Sequence, residues 1–177
     1  MTKTQELPVP PDGIDDGHVR PIRGWRRHAS PLSVVVFGLV LVLGLTGVLG
    51  HERTWSAEAN DVVLSVDSPE TIRNGEFLEM RIGVESSRRI GELVIGIRRS
   101  LWEDMTVNTM IPAATDEESV DGEFRFTFGP LEPGGEFMLK ADLQVNPDIV
   151  AGNAGTITVY DGDEPIVDTA IEIRVLP

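Results

Sequence analysis

Three histidines, His18, His28 and His51, are the only imidazoles in this chain of 177 residues, and it has no cysteine. Imidazole is the side chain whose ordinary pKa suits proton transfer near neutrality, and thiolate is a strong protein nucleophile. All three histidines lie at or before residue 51. The rest of the chain therefore has no material for a Ser-His-Asp triad, a histidine or cysteine zinc site, or a histidine general base. It also has no G-x-G-x-x-G or P-loop pattern to cradle a phosphate.

Carboxylates remain. Asp116, Glu117, Glu118 and Asp121 form one acidic stretch, and Asp161, Asp163 and Glu164 form another around Gly162. Ca²⁺ takes oxygen ligands and accepts irregular geometry, so Asp116, Glu118, Asp121, Asp161, Asp163 and Glu164 are the candidate ligands. Neither stretch has the spacing of an EF-hand loop. Tight turns select the same residue types, and solvated turns are the preferred reading of both stretches. A glycosidase-like pair would need two facing carboxylates, and the spacing singles out no such pair. The expectation is a chain that is not an enzyme and has no cofactor.

Net charge is −14, unevenly spread. Residues 51–177 hold ten Lys and Arg against twenty-five Asp and Glu. Such a region repels phosphate backbones, so nucleic acid is excluded as a partner class and a protein partner is expected. The pairs Arg88-Arg89 and Arg98-Arg99 bracket one predicted hairpin, and Trp102 follows it. These five are the candidate partner contacts. Strand-end charges that blunt an edge, and an aromatic held in the core, are the alternatives.

The most distinctive element lies upstream. Leu32 and Gly50 bound 19 residues without a charge. As a helix they would span roughly 28 Å, close to a bilayer core of roughly 30 Å. Arg20, Arg23, Arg26 and Arg27 precede the stretch and acidic sequence follows it. The positive-inside rule then places the N-terminus in the cytoplasm and the C-terminal region outside, in an inner-membrane protein held in lipid by one helix. Trp25 and Trp55 flank the stretch as candidate interface anchors. A cleaved leader is the rival reading, because Ala57-Glu58-Ala59 has the small-x-small pattern of a cleavage site. The apolar run exceeds the usual h-region, and this favours an uncleaved signal-anchor. The organisation expected is a disordered cytoplasmic tail over 1–30, the anchor over 31–50, a juxtamembrane linker over 51–59 and a folded domain over 60–177.

Within that domain the hydrophobic period is two. Leu78, Met80, Ile82 and Val84 alternate with polar residues, as do Leu93, Ile95 and Ile97, then Phe124, Phe126 and Phe128, then Phe137, Leu139, Ala141, Leu143 and Val145. Further strands are expected at 62–66, 106–111, 156–160 and 166–175. Asn74-Gly75, Asp121-Gly122, Pro133-Gly134-Gly135 and Asp161-Gly162 supply turns. One-faced alternation implies an all-β, immunoglobulin-like sandwich of seven or eight strands in two antiparallel sheets.

The order of these features is also familiar. A strand ending Met110-Ile111-Pro112 leads through an acidic loop to Phe124-Arg125-Phe126-Thr127-Phe128. The turn Leu131-Glu132-Pro133-Gly134-Gly135-Glu136 and a long alternating strand follow. Residues 60–177 thus resemble the CARDB-type and related conserved-repeat domains of prokaryotic surface proteins. The resemblance implies an extracytoplasmic sandwich with an adhesion or assembly role and no catalytic residues. Two readings follow: a single-pass membrane protein presenting an interaction domain, or an exported ligand- or Ca²⁺-binding domain released after Ala59.

Overall fold

The computed structural model describes residues 26–45, 52–146 and 152–176. The chain divides into two compact units, Met1–Val48 and Leu49–Pro177.

In the first unit, helix α1 covers Arg26–Leu45. From residue 32 onward its apolar side chains are exposed, among them Val34, Phe37, Leu41 and Leu45. This uncharged part is about 20 Å long at ~1.5 Å per residue, short of a bilayer core. No helix among the described residues is long and apolar enough to cross a membrane. The spanning helix expected over residues 32–50 is therefore not found there. Residues 46–50 lie outside the described residues, as does Trp25.

The second unit is an all-β sandwich. Its described strands are β1 (Glu52–Ala59), β2 (Val62–Pro69), β3 (Thr71–Arg73), β4 (Phe77–Ser86), β5 (Ile90–Arg98), β6 (Met105–Ile111), β7 (Asp116–Val120), β8 (Glu123–Leu131), β9 (Gly135–Val145), β10 (Asn153–Asp161) and β11 (Glu164–Leu176). A single helical turn, α2 (Arg99–Trp102), lies between β5 and β6. One sheet has the order β1-β2-β4-β9-β6 and the other β3-β11-β10-β5-β8-β7. All the ladders are antiparallel except β3 with β11.

Alternation explains the core. Leu78, Met80, Ile82 and Val84 of β4 are buried beside Leu139, Ala141 and Leu143 of β9. The other sheet contributes Leu93, Ile95 and Ile97 of β5, Ile157 and Val159 of β10, and Ile171 and Ile173 of β11. Side chains two apart share a face, so strands such as β4 and β9 deliver a buried stripe from one face.

The structure has three strands more than the eight expected, and one changes the domain boundary. Residues 52–59, expected as a linker, form β1, which pairs with β2 along its whole length. Trp55, Ala57 and Ala59 pack from it against the core. Trp55 is thus part of the sandwich, with the Arg53 guanidinium 5.2 Å from its ring. The β1–β2 hairpin closes through Asn60 and Asp61, whose φ values of 50° and 62° are those of the mirror-image turn that matches strand twist. Cleavage after Ala59 would fall at this turn and would remove β1.

The other additions, β3 and β7, are short. Asp116 and Glu118 lie on β7, where a loop is expected.

Candidate functional site

The two sheets part along one side. There β6 is the last strand of its sheet and β7 the last of the other. Met105, Val107 and Met110 of β6 share the inward face, since they pair with Val145, Leu143 and Ala141. Opposite them the inward face of β8 carries Phe124 and Phe126. Glu117 of β7 pairs with Phe126, so a carboxylate stands where a closed core would need an apolar side chain. The sheets do not seal, and a cleft of about 700 Å³ remains.

Trp102, Met105, Val107, Met110, Phe124 and Phe126 give the cleft its apolar lining, and Arg99, Glu103, Asn108, Thr109 and Glu117 complete it. Trp102 is 4% exposed and packs against Phe126 with ring centroids 5.9 Å apart. Its indole Nε1 is buried without a hydrogen-bond partner among the described residues. The Arg99 guanidinium lies 5.7 Å from the Phe124 ring centroid. Val107 remains 41% exposed, which is high for a valine on the inward face of a strand. In β6 the register with β9 shifts between Val107 and Thr109.

The cleft brings together two of the five candidate contact residues, Arg99 and Trp102. The other three have separate surroundings. Arg98 Nη1 donates to the Asp121 carbonyl at 3.2 Å. Arg89 forms an exposed ion pair with Glu132 at 3.5 Å. Arg88 Nε is buried with no hydrogen-bond partner among the described residues.

The six candidate Ca²⁺ ligands are engaged otherwise or dispersed. Asp161 Oδ1 accepts from the backbone N–H groups of Gly91 and Glu92, at 2.8 and 3.1 Å. Asp163 and Glu118 pair with Arg125, at 3.4 and 4.0 Å. Asp121 occupies a turn with positive φ, Asp116 sits on β7, and Glu164 opens β11. Among the described residues no group of three or more acidic or histidine side chains could hold a metal ion.

A second polar cluster escapes the sequence. On the outer face of the six-stranded sheet, Tyr160 donates to Glu123 Oε2 at 2.8 Å. Arg125 Nε donates to the same oxygen at 3.1 Å. The Arg125 guanidinium also covers the Tyr160 ring, 4.6 Å from its centroid. Gly96 makes room for this: a Cβ there would come within 2.6 Å of Glu123 Cδ and 2.7 Å of the Tyr160 ring. Burial raises the Tyr160 pKa, and the hydrogen bond to Glu123 raises it further. Burial disfavours the Arg125 charge, yet Glu123 and Tyr160 outweigh it and the pKa is raised. Every group in the cluster is partnered, so we read it as a structural clasp. Only the lone Gly96 between Ile95 and Ile97 hints at it in the sequence.

No family model matches the chain, so the CARDB-type resemblance rests on its turn motif and strand order. No curated protein matches it either. Among solved structures, it is similar to CaCohA2 from Clostridium acetobutylicum, at 16% identity and a TM-score of 0.42, over 67% of this chain and 91% of that one. It is similar to a non-cellulosomal cohesin from Archaeoglobus fulgidus, at 10% identity and a TM-score of 0.37, over 60% and 86% of the two chains. A third is the third cohesin of ScaC from Acetivibrio cellulolyticus, solved with the ScaB dockerin, at 16% identity and a TM-score of 0.38, over 59% and 93%.

Proposed function

We propose that this chain is a non-enzymatic protein-binding module, held to a membrane by residues 32–50 and presenting its sandwich on the extracytoplasmic side. The observation that carries the reading is the open edge, where an apolar cleft stands between two edge strands, β6 and β7. Burying one large apolar side chain there stabilises a complex by about 1.5–3 kcal/mol, so a few anchors suffice for specific binding.

Anchoring draws on separate support. An apolar helix with no polar face requires lipid or protein around it, and α1 from residue 32 has that character. The arginines before it and the acidic sandwich after it favour the stated orientation. Release after Ala59 is the poorer alternative, since it would remove β1 and with it Trp55, Ala57 and Ala59, which pack against the core.

The test is crosslinking in intact membranes followed by purification in mild detergent. A defined partner, linked through the sandwich, is expected. Recovery of the protein alone after repeated crosslinking, or a mature N-terminus at Asn60, would overturn the reading.

A further inference from the structure

We propose that the occupant of the cleft is an extended, basic segment of a partner protein, which adds to β6 as a sixth strand. This rests on the protein-binding reading above and specifies its chemistry. Three features lead to it independently.

The first is the free edge. Among the described residues β6 pairs only with β9, so its other side presents unpaired backbone donors and acceptors to a further strand, with one irregularity at Asn108. The second is the shape beneath that edge. A strand added to β6 would point alternate side chains inward, over Trp102, Phe124 and Phe126. Apolar residues at every second position would complete the core that β7 leaves open. The third is charge. Glu103 and Glu117 lie in the cleft against the single cation lining it, Arg99, which packs over Phe124, and residues 51–177 as a whole carry fifteen more acidic than basic side chains. A Lys or Arg in place of one inward apolar residue of the incoming segment would meet Glu117, and outward ones would lie in the field of the acidic domain.

The same observations argue against a second copy of this chain. Residues 51–177 carry fifteen more acidic than basic side chains, so two copies repel. An inward-pointing charge such as Glu117 is a known means of discouraging edge pairing. Here it would discourage acidic and neutral strands and admit basic ones.

The probe is a synthetic peptide of alternating Val and Lys in which one inward Val is replaced by Lys to face Glu117, added to the full chain in lipid nanodiscs. Trp25→Phe and Trp55→Phe leave Trp102 as the reporter. The expected results are a change in Trp102 emission on binding and slowed amide exchange across residues 106–111. Glu117→Lys should weaken binding at least tenfold while leaving the thermal transition unchanged, and Val107→Lys should do the same. A peptide with Pro at alternate positions cannot form the ladder and should not bind. Equal binding of the Pro peptide or of a Val-Glu peptide would overturn the proposal, as would protection confined to other strands. A native partner crosslinked equally well by wild type and Glu117→Lys would overturn this inference but leave the protein-binding reading standing. Absence of any partner would overturn that reading itself.

Discussion

Tyr160 is the only tyrosine in the chain, so its ionisation can be followed by tyrosinate absorbance without assignment. Folding raises its pKa, through burial first and the bond to Glu123 second. The fold thus favours the neutral phenol. Its contribution to stability is complete below the unfolded value of about 10 and is lost as pH rises through the higher folded value. We expect a titration midpoint above that of free tyrosine, and Glu123→Gln should lower it without abolishing the shift. Trp102 supports a different prediction. Its N–H has no acceptor among the described residues, so Trp102→Phe breaks no hydrogen bond there and removes a buried donor. Chemical denaturation should show a loss below about 1.5 kcal/mol for Trp102→Phe, against about 3–5 kcal/mol for Trp102→Ala.

At the level of elements, packing is least forgiving where strands cross closely. Gly96→Ala would push a methyl group into Glu123 and Tyr160, and a loss of about 1–3 kcal/mol is expected, with Tyr160 titrating at a changed pH. A chain starting at Asn60, without β1, should unfold at distinctly lower urea than one starting at Glu52, because the packing of Trp55 is lost with β1. These elements also show what the sequence reveals. All eight strands expected from alternation are present, because a strand buried on one face must write a period of two. The strands it missed, β1, β3 and β7, are all sheet edges. β7 reads DEESV and is exposed along nearly its whole length, so no apolar stripe marks it. β1 buries only part of one face. The fourth edge, β6, was legible because it is apolar, reading MTVNTMI. An edge that shows itself in this way is an edge with unsatisfied surface. The cleft itself was not legible, because it depends on two strands far apart in sequence ending their sheets on the same side.

For the whole molecule, charge and attachment decide behaviour. An acidic sandwich should attract a basic segment from a distance, and salt should screen that attraction over a Debye length of about 10 Å at 0.1 M. Association rates should therefore fall steeply with added salt, while dissociation changes little. Removing residues 32–45 should shift the protein from membrane pellets that resist carbonate washing to the soluble fraction. Retention in the pellet would contradict the anchor.

The strand order has one mechanical consequence. β1, which follows the attachment in the chain, and β6, on the proposed partner side, are opposite margins of the same sheet. Tension between membrane and partner would enter at one margin and leave at the other, crossing the β1–β2, β2–β4, β4–β9 and β9–β6 ladders in series. Each ladder would bear the full load, while the six-stranded sheet would act as backing. The irregular β6–β9 ladder, interrupted at Asn108, is then the joint expected to part first under a pull, ahead of the ten-pair β4–β9 ladder at the centre. Single-molecule stretching between Glu52 and a handle at Thr109 would register that joint as the weakest step.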